Sequence, residues 1–359
     1  MKRRFVDCGA VDAPVMFGRM PVLAASVVNG GPEILMTGMF GAGHFQIGWF
    51  DDVDAVMDLG AARAHGVQVF RRPLFGGGAA FYDSNSVAFF SFIERAESFA
   101  TLDDALEAFR PTFRKVLDDV GLSAASFEGS SDIRWNGRKL GTVISQDVLG
   151  TRVVGGFLNL KRPDLDLYAK VARVPEEKFK DKVIKDAVAY ICTPRDVRGA
   201  DLSYEELRDA VVVACVSPLE PAPITAEEDA NVAGFVDTVA ADDWIHRVSS
   251  SRFVASAPTG CAVGFANVKG KKLVRAGVAV RDGVIEGAML GGDMHISPPD
   301  AMDRVAAAVV GARADDDAEL LARVTRVLSL PDVTQPDEAA GITARDCVDA
   351  IMRASKAAS

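Results

Sequence analysis

Residues 69–93 read VFRRPLFGGGAAFYDSNSVAFFSFI. Two apolar, strand-like runs flank a pair of arginines (Arg71, Arg72), three consecutive glycines (Gly76, Gly77, Gly78) with Ala79, and Asp83. Glycine loses more chain entropy on folding than any other residue, so three in a row between strands signal backbone that must come close to something. A bound ligand held by main-chain N–H groups, with arginine charge nearby, is one answer. A hairpin tip or a bulge is the other.

The segments around this stretch predict a sheet domain. Glu33 to Thr37 is a short apolar strand candidate. The run from Gly38 to Phe50, rich in glycine and aromatics, reads as loop, with His44 inside it. Residues 51–66 fit one amphipathic helix, capped by Asp51 or Asp52 and stopped by Gly66. Thr101 and Asp104 make a capping-box pair, and Pro111 is expected to kink or divide the helix that they open. Residues 132–160 hold a tight turn at Asn136-Gly137, a strand starting at Arg138, and a second turn at Leu149-Gly150. Lys139 lies just past the first turn. Lys178, Lys180, Lys182 and Lys185 read as a solvated helix face. Ser203 with Glu206, and Thr225 with Glu228, open two more helices. After residue 253 a long hairpin turning at Asp282-Gly283 and three helices predict a small second domain.

Composition narrows the function. The chain has 359 residues and a formal net charge of -10, which disfavours general nucleic-acid binding. No apolar run is long enough to span a membrane, and the N-terminus lacks a signal-peptide core. Cys8, Cys192, Cys215, Cys261 and Cys347 are dispersed and odd in number, which fits a reducing cytoplasm rather than a disulfide framework or a metal site.

The two dense regions together resemble the lipoate–protein ligase branch of the biotin/lipoate ligase superfamily. The residues that carry the resemblance are Arg71-Arg72, Gly76-Gly77-Gly78-Ala79, Tyr82-Asp83 and Gly137-Arg138-Lys139-Leu140. This chain departs from the pattern where Phe75 replaces a small hydroxyl residue, Tyr82 replaces a histidine, and Gly141 to Gln146 replaces a serine-rich run.

The resemblance implies an α+β fold. A ligase-like catalytic domain with mixed and antiparallel sheets flanked by helices would cover residues 1–252, and a small α+β accessory domain residues 253–359. It implies an ATP-dependent ligase that joins lipoate or a related acyl acid to AMP, with Mg2+ held mainly by the phosphates. The acyl group would then pass to a lysine of a lipoyl-carrier domain of H-protein or E2 type. Lys139 would be catalytic, contacting acyl carbonyl and phosphate oxygens. Arg71, Arg72, Phe75, Gly76, Gly77, Gly78, Ala79, Asp83, Gly141 and Gln146 would bind substrate or adenylate, with no protein-held metal. Alternatives are an octanoyl or lipoyl transferase, a ligase for another acyl acid, or a non-catalytic acyl- or carrier-binding protein. A thiol-dependent transferase is disfavoured, because no cysteine lies in either dense region.

Overall fold

The computed structural model describes residues 2–73, 76–129, 131–173, 190–335 and 341–358. In chain order the first part runs β1 (Arg3–Val11), α1 (Ala13–Val28), β2 (Ile34–Phe40), β3 (His44–Ile47), α2 (Val53–Val56), α3 (Leu59–Ala64), β4 (Gln68–Arg71), β5 (Ala80–Tyr82) and β6 (Val87–Arg95). It continues with α4 (Leu102–Asp119), β7 (Ser126–Glu128), β8 (Asp132–Trp135), β9 (Arg138–Val148), β10 (Thr151–Asn159), α5 (Leu165–Val171), α6 (Pro194–Arg198) and α7 (Tyr204–Ala214). Then come β11 (Leu219–Pro221), α8 (Ala226–Ala240), α9 (Asp242–Ile245) and α10 (Ser250–Ser256). The last part holds β12 (Ala262–Lys269), β13 (Leu273–Arg281), β14 (Val284–Asp293), α11 (Ala301–Val309), α12 (Asp317–Leu328) and α13 (Ala344–Ala358).

The largest sheet has the strand order β11-β1-β2-β6-β10-β9-β8-β7. Its β11–β1 and β1–β2 pairs are parallel, and the rest are antiparallel. One face packs on α1, through Met16, Phe17, Met20 and Leu23 against Val6, Met36, Phe89 and Val153. The other packs on α4 and α7, through Phe113, Val116 and Val211 against Leu35, Phe90, Phe92 and Leu158. A second sheet, β4-β3-β5, carries the glycine stretch between its outer strands, and a third is β12-β13-β14. The expected mixed α+β architecture is therefore present.

Local signals translate directly. Asn136-Gly137, Leu149-Gly150 and Asp282-Gly283 all have positive φ at both positions, the geometry of a two-residue hairpin turn. The three capping boxes at Thr101, Ser203 and Thr225 form as read.

Other expectations need correction. The 51–66 segment is two short helices, because Asp52 and Asp58 each cap a start and the buried Met57 between them is extended. Pro111 does not divide α4; Phe109 and Phe113 on either side hold the helix against Phe92. Residues 38–50 are largely strand, since β2 continues to Phe40 and β3 follows. β4 and β5 do not pair with each other but flank β3, so the glycines are not a hairpin tip. The proline-rich connector contributes β11 to the edge of the sheet. β1 and β12 were not read as strands; β12 (AVGFANVK) is too rich in small residues to show an alternating pattern. The Lys178–Lys185 cluster lies outside the described residues.

The C-terminal unit has a core of its own, built from β13, β14 and α11–α13, with Phe50 from the first part inserted into it. The expected boundary after residue 252 falls inside α10. Contacts between the units are backbone-close. Gly292 N donates to Phe50 O at 2.8 Å, Gly77 N to Met294 O at 2.7 Å, and Trp49 Nε1 to Pro299 O at 2.7 Å. Arg275 pairs with the fully buried carboxylate of Asp52 at 3.0 Å.

Candidate functional site

Lys139 is aimed by a defect in the sheet. Ile133 pairs with Gly141, yet Arg134 pairs with Lys139, so Leu140 is the extra residue of a β-bulge. Leu140 and Val143, three apart, consequently share the core under α4 and α7, which strict alternation would forbid. Lys139 emerges on the opposite face beside Asp132, with Nζ 2.7 Å from Asp132 Oδ1. Arg134 also donates to Asp132 Oδ2, at 3.0 Å from Nε, and to the Tyr190 hydroxyl at 3.1 Å. The Lys139 backbone is held too: its carbonyl accepts from Cys192 N and Asn159 Nδ2.

Burial works to lower the Lys139 pKa, but the Asp132 carboxylate together with Tyr190 and Tyr82 raises it, and the net shift is upward. Burial likewise works to raise the pKa of Asp132, and Lys139 with Arg134 brings it below the ordinary carboxylate value. The pair is therefore a firmly ionised one, with the Lys139 side chain 31% exposed. Asp132 is a functional candidate that the sequence reading passed over. Its signal in the sequence is a place on the strand before the Asn136-Gly137 turn, with Lys139 on the strand after it.

The two arginines divide their roles. Arg71 is fully buried, and its N–H groups are consumed by carbonyls. Nη1 donates to Gly48, Trp49 and Asp51, Nη2 to Ile245 and Val248, and Nε to Trp244 and Ile245. Burial lowers its pKa to about 10, which leaves it charged. Expected with Arg72 among the substrate- or adenylate-binding residues, Arg71 in this structure is a clamp joining the β3–α2 loop to the chain around α9. Arg72 points the other way and holds the glycine loop, with Nη2 at 2.7 Å from Gly77 O and Nη1 at 3.3 Å from Gln46 Oε1. Strand alternation alone separates the two side chains.

The glycines are needed by the C-terminal unit. A Cβ on Gly76 would lie 2.5 Å from Met294 O and 2.7 Å from His295 Nδ1. One on Gly77 would lie 2.7 Å from Met294 N and collide with Gly292 O. Gly76 and Gly78 also have positive φ, at 60° and 91°. At Gly76 and Gly77 the side on which a Cβ would stand is filled by residues 292–295. Phe75 lies outside the described residues.

Of the other expected residues, Ala79 and Tyr82 flank the start and end of β5. Asp83 accepts from Asp164 N and closes the turn to Ser86, so it ties α5 to the sheet. Gly141 allows the bulge, since a Cβ there would collide with Phe157 O. Gln146 sits farther along β9, opposite Val153.

The charge of Lys139 acts on two groups across from it, Tyr82 and His295. The second of these rests on Gly76. Beneath Tyr82 lies an aromatic wall of Phe40, Phe89 and Phe157. His44 belongs to that wall and is fully buried. Burial lowers its pKa to about 4, and Nδ1 lies 3.0 Å from Ala42 O, so it is a neutral packing residue.

Asp196 secures the segment that flanks Lys139. It accepts from Thr193 N at 2.9 Å and from Arg162 at 2.9 Å, with Arg138 at 3.4 Å. Burial works to raise its pKa, but the Thr193 N–H and Arg162 bring it from 3.8 to about 2. A carboxylate depressed in the folded state stabilises fully above its unfolded value and loses that contribution as pH falls through the folded one. Asp196→Asn should therefore flatten the fall in unfolding free energy between pH 4 and pH 2, measured by urea titration at each pH.

Residues 31–216, just over half of the chain, match the family described as the lipoyl protein ligase A/B catalytic domain. The chain belongs to this family. It is 26% identical over 178 residues to lipoate-protein ligase A subunit 1 of Thermoplasma acidophilum, a match covering 46% of this chain. That match spans 64% of the relative, less than two thirds of its length.

Solved structures share the fold at low identity. A lipoate complex of P. falciparum LipL1 is 12% identical with a TM-score of 0.66, over 89% of this chain and 94% of that one. A bipartite lipoate protein ligase from T. acidophilum, solved in a study of that ligase and its E2 lipoyl domain, is 20% identical with a TM-score of 0.53, over 68% and 97%. A lipoate-protein ligase A bound with ATP is 17% identical with a TM-score of 0.54, over 69% and 100%. The α+β architecture of this family is thus the fold of the chain. Among the described residues no helix is long and apolar enough to cross a membrane.

Proposed function

We propose that the chain is an ATP-dependent lipoate–protein ligase. It joins the carboxylate of lipoate, or of a related acyl acid, to AMP with release of pyrophosphate. It then passes the acyl group to a lysine of an E2-like or H-protein-like lipoyl domain. The observation that carries this reading is the bulge at Leu140, which brings the Asp132-bound ammonium of Lys139 out on the face of the sheet away from α4 and α7. Both steps build negative charge on carbonyl and phosphate oxygens, and a cation already held in position stabilises that charge without reorganising.

Arg72 keeps the glycine loop in place from below. Among the described residues no cluster of His, Cys, Asp or Glu is built to hold a metal ion. Mg2+ carried by the phosphates would offset their charge.

Incubation of the pure protein with ATP, Mg2+ and lipoate should release pyrophosphate and, with an apo E2 lipoyl domain, yield AMP and a lipoylated domain by mass spectrometry. Tight binding of the lipoyl domain without turnover would instead mark a carrier-binding protein.

A further inference from the structure

The sheet sets two cations side by side. Ile133 pairs with Gly141, so strict antiparallel register would put Arg134 opposite Leu140. The bulge shifts the pairing by one residue, and Arg134 comes directly opposite Lys139. Like charges directly opposite each other on paired strands repel, so this placement by itself costs stability. Asp132, two residues before Arg134 and therefore on the same face of β8, bridges them. Its Oδ1 takes the Lys139 ammonium at 2.7 Å. Its Oδ2 takes Arg134 Nε at 3.0 Å and Nη2 at 2.5 Å. The guanidinium is fixed from its far side as well. Nη1 donates to Gly137 O in the hairpin turn at 2.8 Å, and Nη2 to the Tyr190 hydroxyl at 3.1 Å. The Tyr190 ring centroid lies 5.3 Å from Cζ.

We propose that Arg134 is a positioning residue for Lys139: by occupying Oδ2 of Asp132 it fixes and offsets that carboxylate, so that the ammonium keeps a net positive charge for an anionic oxygen of the substrate. The proposal rests on the ligase reading above. An ammonium held by a carboxylate alone is a neutral pair and draws an anion weakly. With Arg134 on the other oxygen, the three side chains together carry one positive charge. Glu128 also approaches, with Oε2 3.8 Å from Arg134 Nε, but its side chain is half exposed and solvent screens it.

Two things change when Arg134 is lost. The Asp132 carboxylate can turn and draw the ammonium with either oxygen, which moves the cation. The charge that the group presents to a carboxylate or phosphate also falls from one to zero. The loss of one unit charge close to the reacting oxygens should cost about 10- to 30-fold in rate at an effective dielectric of about 20.

The test removes the charge and then restores it. ATP–pyrophosphate exchange with lipoate and ATP binding by calorimetry are measured for the wild-type protein, Arg134→Gln, Arg134→Lys, and Arg134→Gln combined with Asp132→Asn. Exchange should fall about 10- to 30-fold in Arg134→Gln. The double variant should recover at least about a third of the wild-type rate. Asparagine keeps an oxygen for the ammonium but carries no charge, so Lys139 is again uncompensated. A role confined to holding β8, the turn and Tyr190 together gives the reverse result, because the double variant has lost a second partner. A double variant no faster than Arg134→Gln therefore overturns the proposal, as does wild-type exchange in Arg134→Gln. Should Arg134→Gln fail to fold, Arg134→Lys decides. Recovery to at least about a third of the wild-type rate upholds the role of the charge, and a larger loss overturns it. A wild-type protein that binds ATP but performs no exchange sinks the ligase reading alone. ATP affinity then decides: a fall in Arg134→Gln that returns in the double variant upholds the proposal, and an unmoved affinity overturns it. A wild-type protein that binds no ATP overturns both.

Discussion

Replacing Lys139 with alanine should slow acyl-adenylate formation by about 100- to 1,000-fold, the usual loss when one preorganised donor to a developing oxyanion is removed. The fold should hardly notice. The Lys139–Asp132 pair is partly exposed, with side chains 31% and 20% accessible, and Asp132 keeps its bonds to Arg134. Such pairs contribute at most about 1 kcal/mol. The expected result is a variant with an unchanged urea midpoint and almost no pyrophosphate release. Lys139→Arg should not recover the loss, because a planar guanidinium on a longer stem cannot put its charge where the compact ammonium sits. Full activity in Lys139→Ala would remove the lysine from the mechanism and leave the bulge at Leu140 without a functional reason.

What the sequence discloses depends on how far apart the interacting residues lie. The turns at Asn136-Gly137 and Asp282-Gly283, and the capping boxes at Thr101, Ser203 and Thr225, involve residues within four positions of one another, and each forms as read. The β-bulge is less visible. Nothing in the string RKLGTV states that Leu140 is the surplus residue; that follows from the register of β8 against β9. The lysine could be singled out only through its motif, and the direction it faces needed the sheet.

The glycine triplet was legible as a sign of close approach, but the approaching group was not. It is a segment more than two hundred residues later in the chain, residues 292–295, which has no local mark in the sequence. The arginine pair is hard to tell apart for a related reason. Both residues carry the same charge in the motif, but the last residue of β4 and its neighbour face opposite ways, and only Arg72 reaches the glycine loop.

Arg71→Ala, accordingly, should behave as a stability mutant rather than a binding mutant. Its guanidinium satisfies the carbonyls of Gly48, Trp49, Asp51, Trp244, Ile245 and Val248 in a space with no measurable solvent exposure. Removing it leaves several of those carbonyls buried and unpaired, at about 1–3 kcal/mol for each that water does not reach. A total loss of about 3–5 kcal/mol is expected, among the larger effects a single substitution produces. The damage should also spread outward. Gly48 and Trp49 sit beside the glycine loop, Trp49 N donates to Gly76 O, and Phe50 anchors the core of the C-terminal unit. Loosening this clamp should therefore release the C-terminal unit first, seen as new proteolytic cuts between residues 250 and 262 at denaturant concentrations that the native protein resists. Arg72→Gln makes the contrast. It removes the bond to Gly77 O but leaves the clamp intact, so its unfolding midpoint should move far less. If Arg71→Ala kept its stability within about 1 kcal/mol and lost ATP binding instead, the guanidinium would have to leave its cage in the working protein, and Arg71 would return to the role of phosphate ligand.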